Sequence, residues 1–562
     1  MFAWRGKMLV ADLSSGSVRT EDLPEETLRT WLGGRGLGVR LMQDFITLNP
    51  YDERMPVVLA LGPLCGTAAP ASSRLSVVSR SPLTGTIFDA SVGGPFPLML
   101  KQAGFDAVLI TGRAQDPVLL EIGGGKARLQ DASWLWGKGC IEVHKLLDDS
   151  GEVLSIGPAG ERLVRMAGIV AGGTGPACRG GLGARWGAKN LKAVVVGAPE
   201  GAAPALADGT AFQAACDELL LLLRSQPAAE ALAEFGTSAL VETVNRLRMT
   251  PTENFRKTWY PQAHLYAGPV LKKTFGFKTE PCPACPFSCR RTTNCGKPIP
   301  EFDALSHFGA LNANPDAESL IRANILCINM GLDPVSTAAT IAACGEARGE
   351  FLVSDDILDL VRKIAYREGE GDGLAEGSRR WCASLGRPGL SMAVKGLELP
   401  ACDPRASAGA ALAYGTSTCG ARLPGAFTVQ PEALRAAGGF DGAADRVRAA
   451  EDSGAVADSL AVCPLAFPAV SPGLFARLLT AATGMPVTGE ELMRTGGEII
   501  GLERGCNSRN GFTRADDLLP ERFFAGPGTP GDGIETPAID RQRYLEELDR
   551  YDRMRSRPAG GR

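Results

Sequence analysis

Three cysteines within eight residues constrain this chain more than any other feature. Cys282, Cys285 and Cys289 follow one another with C-x2-C-x3-C spacing. Loops this short can turn all three sulfurs toward one point. The turns are stiffened by prolines, which also remove competing backbone donors: Pro281, Pro283 and Pro286. Converging thiolates are typical ligands of an iron–sulfur cluster or of zinc. The spacing therefore predicts a metal site, with an iron–sulfur cluster favoured over zinc and over unliganded cysteines.

A group bound by this trio needs a fourth ligand. Zinc fingers usually supply it from a second nearby pair of cysteines or histidines. Here only Cys295 follows closely, after the basic and polar segment 290–294. The fourth ligand is therefore expected to be either Cys295 or a residue far away in the sequence.

The composition excludes several classes of protein. A chain of 562 residues that is 44% hydrophobic is long enough for several domains with sizeable cores. The net charge of −4 argues against a nucleic-acid or anionic-membrane surface. Neither a leader segment nor an apolar run of the roughly 18 residues that span a membrane is present. The 15 cysteines, odd in number and scattered, indicate a reducing compartment, so we expect a cytoplasmic protein.

The first third of the sequence has the pattern of a β-sheet domain. Short apolar runs alternate with glycine and proline, at 8–13, 57–61, 75–78, 107–110, 118–122, 153–156 and 192–196. Glycine clusters lie between them, at 33–38, 93–94 and 179–183. They are read either as tight turns or as places where backbone approaches a ligand. Arginines in or near them, Arg35, Arg74 and Arg179, favour an anionic ligand.

The remaining two thirds have helical spacing. Apolar residues recur with helical periodicity at 212–224, 319–330 and 356–368, and a charged helix is expected at 541–554. Asp208 is expected to cap the first of these helices, and Gly331 to end the second. An Ala/Pro/Gly segment at 197–207 predicts a linker. The predicted domains are a β-rich base at 1–205, a helical domain carrying the cysteine loop at 206–400 and a helical domain at 401–562.

Several separate stretches resemble the tungsten-containing aldehyde ferredoxin oxidoreductase family. The stretches occur in the family's order and extend over nearly the whole chain: residues 4–37, LGPLCGTAAPASSR at 61–74, SPLTG at 81–85, IGPAGE at 156–161, CRGGLGA at 178–184, the cysteine trio, DPRASAG at 403–409 and NGFTRADDLLPERF at 510–523.

The resemblance implies a fold and a set of cofactors. The fold would be α+β, with a β-sheet-rich N-terminal base domain binding the bis-pterin, followed by two mainly α-helical domains. The family binds tungsten, less often molybdenum, through two molybdopterins, next to one 4Fe–4S cluster, with Mg²⁺ bridging the pterin phosphates. The cluster's fourth ligand ends a D-x-x-G-L-C motif, which corresponds here to Asp458–Cys463, so Cys463 is implied and Cys295 is the alternative. Positions matching the family's cofactor-binding motifs are Arg74, Ser91, Gly93, Gly94, Arg179, Gly180, Gly181, Asp333, Asp458 and Val462.

The sequence departs from the family at its acid–base positions. The family's P-E-[YF]-E element reads Pro300-Glu301-Phe302-Asp303 here, so Asp303 stands at the carboxylate position and is shorter by one methylene. The histidine of the family's aldehyde oxidases corresponds to Leu423. His307, one helical turn after Asp303, is expected either to substitute for it or only to pack nearby. The candidate catalytic residues are Asp303, Glu301 and His307.

The resemblance implies an enzyme that oxidises an aldehyde to a carboxylic acid. Ferredoxin or an iron–sulfur subunit would accept the electrons, and the oligomeric state, homomeric or heteromeric, stays open. The lost histidine motivates one alternative, a relative with another substrate such as an aromatic acid or thioester that is reduced. A catalytically silent iron–sulfur or zinc scaffold protein is a further alternative, which the retained Arg74 and Arg179 oppose.

Overall fold

Strands dominate the first part of the chain and helices the remainder. The computed structural model describes residues 1–123, 126–173, 175, 178–197, 203–423, 439–467, 470–528 and 533–556. The strands are β1 Lys7–Asp12, β2 Ser17–Asp22, β3 Val57–Leu61, β4 Arg74–Arg80, β5 Ile87–Gly93, β6 Ala107–Thr111, β7 Val118–Gly123, β8 Lys126–Asp131, β9 Glu152–Ser155, β10 Val170–Ala171, β11 Leu191–Val196, β12 Lys278–Glu280, β13 Arg290–Thr292, β14 Ala393–Val394 and β15 Leu397–Glu398.

The helices cluster after residue 200. They are α1 Glu25–Trp31, α2 Gly34–Met42, α3 Pro95–Gln102, α4 Cys140–Leu147, α5 Pro158–Glu161, α6 Leu182–Gly187, α7 Gly209–Arg224, α8 Ala229–Phe235, α9 Leu240–Arg246, α10 Gly268–Phe275, α11 Phe302–Phe308, α12 Ala317–Met330, α13 Pro334–Arg348, α14 Ser354–Tyr366, α15 Glu370–Leu374, α16 Ser378–Ser384, α17 Ala408–Thr416, α18 Ala443–Leu460, α19 Pro472–Thr483, α20 Gly489–Arg509, α21 Arg522–Ala525 and α22 Arg541–Ser556.

Two sheets form the N-terminal part. The larger has the strand order β2-β1-β6-β3-β4-β5, in which β1 and β6 are parallel and the other neighbours antiparallel. The smaller has the order β10-β9-β11-β7-β8, with β11 and β7 parallel. Strands β3 and β11 are buried along their whole length, as expected for strands covered on both faces; β11 also contains Lys192, which is buried and pairs with Glu161.

The core has a sheet part and a helical part. Leu59, Val77 and Val108 belong to an apolar cluster between strands and the helices that cover them. A larger cluster joins the helices, with Leu305 and Tyr414 among its buried members. The predicted class, a β-rich N-terminal part followed by helices, is confirmed. The division at 205 and 400 stays a prediction, and residues 198–202 of the predicted linker lie outside the described ranges.

All seven apolar runs are strands in the structure. Eight strands were not expected, and five of them, β10 and β12 to β15, are only two or three residues long. β2 and β8 have the sequences SVRTED and KARLQD and are polar edge strands, which carry little apolar signal. β5 reads IFDASVG, where aspartate, serine and glycine interrupt the apolar pattern of a buried strand.

The glycine cluster at 33–38 is not simply a turn. Helix α2 begins at Gly34 and contains the rest of the cluster. A Cβ on Gly34 would lie 2.2 Å from the carbonyl oxygen of Asp458. The glycines therefore let α2 pack directly against the end of α18, and the tight-turn alternative is wrong at 34–38.

The predicted helices and their caps are present. The three periodic segments correspond to α7, α12 and α14. Asp208 caps α7 by accepting from the backbone N–H of Ala211, and Gly331 ends α12 in the left-handed conformation. Among the described residues, no helix has both the length and the apolar character needed to cross a membrane.

Candidate active site

A cavity of about 470 Å³ lies where β5, the cysteine loop and the ends of α11 and α18 meet. Its walls come from almost the whole chain, from Arg35 to Ile500. Twelve of the predicted site residues line it: Arg74, Ser91, Gly93, Arg179, Cys282, Cys285, Cys289, Glu301, Asp303, Asp333, Asp458 and Cys463. Five do not: Gly94, Gly180, Gly181, His307 and Val462.

The backbone of Ala71 brings the two cysteine segments together. Its N–H donates to the carbonyl of Ala284 in the cysteine loop, at 2.9 Å. Its carbonyl accepts from the N–H of Cys463, also at 2.9 Å. Helix α18 ends at Leu460, and Ala461 after it has the left-handed conformation that turns the chain out of the helix. Cys463 follows two residues later. Cys295, by contrast, is exposed and does not line the cavity.

Arg74 lies against the cysteines. Its Nε donates to Ser91 Oγ at 2.6 Å, and its Nη1 lies 3.6 Å from Cys463 Sγ. A Cβ on Gly93 would come within 2.9 Å of that Nη1 and 3.7 Å of Cys282 Sγ. A side chain at position 93 would therefore push the guanidinium away from the cysteines. Burial opposes the charge of Arg74, but Cys463, Cys282 and Cys289 raise its pKa above the ordinary value.

The thiols are costly to ionise in the protein alone. Burial raises the pKa of Cys289, and Glu301 and the other cysteines raise it further. Burial likewise raises the pKa of Cys285, with Cys463 adding to the effect. Across the described ranges, no three His, Cys, Asp or Glu side chains are drawn close enough together to hold one metal ion. A cationic group bound by the sulfurs would lower these pKa values, because it favours the thiolates.

Arg179 also lines the cavity. Arg179 contacts Asp333 Oδ2 through Nε at 3.2 Å and donates through Nη2 to the carbonyl of Glu398 at 2.8 Å. Asp333 also caps α13, because its Oδ1 accepts from the N–H of Val335. Gly180 lies behind the wall in the left-handed conformation, where a Cβ would lie 2.4 Å from the ring of Phe88. This glycine has a packing role that lets Phe88 line the cavity.

A buried network of charges closes the cavity between α2, β5, α18 and α20. Arg35 makes a two-pronged ion pair with Glu503, at 2.7 and 2.8 Å. Arg422 Nη1 donates to Asp89 Oδ1 at 2.6 Å, and Asp458 Oδ2 lies 3.3 Å from both arginines. Of these residues Asp458 was a predicted cofactor-binding residue and Arg35 was expected to favour an anionic ligand, whereas Asp89, Arg422 and Glu503 were missed. Asp89 could have been suspected as a carboxylate inside an apolar strand, which has to find a buried partner.

One oxygen of this network has no partner. Asp89 Oδ2 is buried and accepts no hydrogen bond from any described residue. Burial alone would raise the pKa of Asp89, but Arg422 and Arg35 hold it below the ordinary value. The charged oxygen therefore offers an acceptor to N–H donors of a molecule bound in the cavity.

Comparisons with known proteins identify the family of the chain. The family model "aldehyde ferredoxin oxidoreductase, N-terminal domain" matches residues 8–198, and the model of its domains 2 and 3 matches residues 214–556. The chain belongs to the aldehyde ferredoxin oxidoreductase family. It is thus an oxidoreductase of that family.

The similar proteins include enzymes that are named for different activities. The tungsten-containing aldehyde ferredoxin oxidoreductase of Pyrococcus furiosus is 34% identical over 100% of this chain and 98% of its own length. The enzyme of the same name from Thermococcus kodakarensis is 33% identical over the same shares. The WOR-like subunit of an aliphatic sulfonate oxidoreductase of Pyrococcus furiosus is 27% identical over 68% of this chain and 67% of that subunit.

A solved structure shares the fold. The active-site complex BamBC of benzoyl coenzyme A reductase, bound to 1,5-dienoyl-CoA, has a TM-score of 0.83 at 23% identity. The match covers 99% of this chain and 95% of the other. At this identity the likeness shows the common architecture.

Of the candidate catalytic residues, two line the cavity and one does not. Asp303 lines it, and its Oδ1 accepts from the N–H of Ala401 at 2.9 Å. Glu301 also lines the cavity, and enclosure by protein raises its pKa, with Arg290 and Arg74 acting in the opposite direction. Leu423, which stands at the position of the family's histidine, presents an apolar surface there.

His307 does not reach the cavity. Its ring is fully buried, with Nδ1 2.8 Å from the carbonyl oxygen of Asp303 and Nε2 3.0 Å from that of Leu399. Burial lowers its pKa, and Asp303 opposes that effect. The packing alternative therefore agrees better with the geometry than direct contact with a substrate does.

Arg35→Met tests the buried charge network. The substitution leaves three buried carboxylates facing only Arg422, so we expect a loss of about 3–5 kcal/mol in the free energy of unfolding at pH 8. Burial already holds the pKa of Asp458 above its ordinary value, and we expect the loss of Arg35 to raise it further and to raise the pKa of Asp89 as well. The carboxyls then take up protons as the pH falls, and the loss should be smaller at pH 5.

The control lies on the same helix. Arg40 makes an exposed pair with Asp44 at 3.8 Å, so Arg40→Met should cost less than about 1 kcal/mol at either pH. Chemical denaturation followed by tryptophan fluorescence gives both values. Equal losses for Arg35→Met at pH 5 and pH 8 would contradict the electrostatic role of Arg35.

Proposed function

We propose that this chain is a tungsten-bis-molybdopterin oxidoreductase that oxidises an aldehyde to a carboxylic acid. In this proposal the cysteines would hold one 4Fe–4S cluster, and ferredoxin or an iron–sulfur partner protein in the cytoplasm would accept the electrons. One observation supports it most strongly. Four cysteines from two distant segments line the same cavity as Arg74 and Asp303.

The residues present fit the proposed groups. Cys282, Cys285, Cys289 and Cys463 supply four soft ligands for one cluster. The anionic pterins would contact Arg74 and Arg179, which both line the cavity. Carboxylates such as Asp458 and Asp333 accept hydrogen bonds, which suits the amino and ring N–H groups of a pterin. Ser91 would lie near a Mg²⁺ ion that balances the charge of the pterin phosphates, and molybdenum is the alternative to tungsten.

The protein's own contribution is to hold the substrate and to move protons. The metal centre, when bound, supplies the two-electron acceptor for the oxidation. Conversion of an aldehyde and water to a carboxylic acid releases two electrons and two protons. The Ala401 N–H holds Asp303 Oδ1, which leaves Oδ2 to accept a proton from water. The apolar side chain of Leu423 excludes water from its part of the wall.

A second candidate keeps the cofactors and changes the substrate. The observation that favours it is Leu423, because the cavity wall lacks a titratable group where the family's aldehyde oxidases carry histidine. An oxidoreductase of this kind would act on another substrate class, such as an aromatic acid or thioester that is reduced. One of the similar proteins is a subunit of an aliphatic sulfonate oxidoreductase, so the relatives are not all named for aldehyde oxidation.

Metal content and turnover of the anaerobically purified protein test the proposal together. We expect about one W or Mo and four Fe per chain, and aldehyde-dependent reduction of a viologen dye. The measurements are elemental mass spectrometry and anaerobic absorbance with a panel of aldehydes. Full metal content without aldehyde turnover would favour the second candidate. Zinc alone in protein from a host that makes the pterin would indicate a scaffold.

Two cysteine variants test the fourth cluster ligand. Cys463→Ala should lose most of the iron, because Cys463 lies beside Arg74 at the cavity. Cys295→Ala, at an exposed cysteine outside the cavity, should keep about four Fe per chain. Iron content and the electron paramagnetic resonance signal of the reduced protein are compared for both. The reverse pattern would assign the ligand to Cys295.

Asp303→Asn tests the proton acceptor. The amide oxygen can still accept from the Ala401 N–H, so the variant should fold and retain its metals. Because an amide cannot take the proton, we expect turnover to fall by about 100-fold or more. Initial rates are measured alongside metal content. Unchanged turnover in a fully loaded variant would remove Asp303 from the mechanism.

A further inference from the structure

The segment around the cysteine loop has the opposite charge to the rest of the protein. Residues 268–300 contain six basic side chains and one acidic side chain, a local net charge of +5 in a chain whose net charge is −4. The basic residues are Lys272, Lys273, Lys278, Arg290, Arg291 and Lys297, and the acid is Glu280. This concentration of positive charge lies in the same segment as the three cysteines of the candidate redox site.

The two arginines of the segment point inward. Arg290 lines the cavity and donates through Nη2 to the carbonyl of Gly93 at 3.0 Å. Arg291 is buried and donates to backbone carbonyls, among them those of Ser288 and Ala233. Both guanidinium groups are therefore used within the protein, next to the cysteines. They leave the outer surface to the lysines.

The four lysines are exposed and lie on one connected surface. Lys278 pairs in register with Thr292, and Thr292 in turn forms a bridge with Pro298, the neighbour of Lys297. The N–H of Asn294, in the turn after β13, donates to the carbonyl of Phe275 at 3.2 Å. This contact joins the hairpin to the end of α10, which carries Lys272 and Lys273. We call these four residues the lysine surface.

Most of the lysine surface carries unneutralised charge. Lys272 pairs with Glu234 at 2.9 Å. Within the described part of the chain, Lys273, Lys278 and Lys297 have no carboxylate within ion-pair distance. Lys278 is four residues before Cys282, so their Cα atoms are at most about 14 Å apart. Pro281 and Ala284 are exposed, so the loop that carries the cysteines also reaches the protein surface close to these lysines.

We propose that the lysine surface is the docking site of a small acidic electron-carrier protein. Complementary charge would steer such a carrier to the face where the cysteine loop is nearest to solvent. Its role as an electron acceptor rests on the proposed function, whereas the binding itself does not. The remainder of the chain, with a net charge of −9, would repel the carrier elsewhere and so favour one orientation.

A triple charge reversal with a matched control tests the docking site. The variant is Lys273→Glu, Lys278→Glu and Lys297→Glu in the complete, metal-loaded protein. The control reverses three exposed lysines in the N-terminal part, Lys7, Lys126 and Lys145, and so changes the net charge equally. The probe is a purified acidic 4Fe–4S ferredoxin, and biolayer interferometry gives association rates and dissociation constants at 50 and 300 mM NaCl.

We expect the lysine-surface variant to bind the ferredoxin about tenfold or more weakly at 50 mM NaCl, mainly through slower association. The control should stay within about twofold of the unaltered protein. The difference should shrink at 300 mM NaCl, where exposed charges are screened. Equal weakening in both variants, or no weakening in the lysine-surface variant, would overturn the proposal.

A small electron acceptor separates docking from catalysis. Reduction of a zwitterionic sulfonated viologen, which needs no protein docking, should be within about twofold of the unaltered enzyme in both variants. If none of the aldehydes tested supports reduction of this dye by the unaltered enzyme, the proposed function fails. The binding measurement still decides whether the lysine surface is the docking site. If dye reduction is normal and ferredoxin affinity is unaffected by the reversal, only the docking site fails.

Discussion

A buried set of two arginines and three carboxylates holds the two halves of this protein around the cavity. Arg35 comes from α2 and Asp89 from β5, whereas Asp458 and Glu503 come from α18 and α20. Charges removed from water are tolerated only when each finds a partner in good geometry. The sheet and the C-terminal helices therefore cannot shift relative to each other without separating charges that water does not reach.

The rest of the site depends on close backbone approaches that this arrangement permits. Gly34 lets α2 lie directly against the end of α18. Cys463 lies only three residues after the last residue of that helix. Ala71 then hydrogen-bonds to both cysteine segments through its own backbone. Positions with small side chains thus bring together cysteines that are more than 170 residues apart. Arg74, held by Ser91, lies against the resulting group of sulfurs.

The sequence predicted those parts of the structure whose causes are local. Apolar runs located seven strands, and the caps at Asp208 and Gly331 follow from the chemistry of one helix end each. The cysteine trio was visible from its spacing, whereas Cys463 required the family resemblance, because no local pattern joins it to the trio. Strand β5 was missed since its inward-facing Asp89 reads as a turn residue until Arg422 and Arg35 are placed beside it. The direction in which His307 points likewise depended on the distant carbonyl of Leu399.

The cavity wall, which extends from Arg35 to Ile500 in the sequence, has a consequence for how the protein is made. A ribosome releases the N-terminal sheets long before α20 has been synthesised, so no stage of translation before residue 500 offers a finished binding site. Any large group that occupies the cavity can therefore be fully enclosed only after residue 500 has been made. If the chain folds before such a group is bound, the buried charge network around the cavity has to open again before the group can enter.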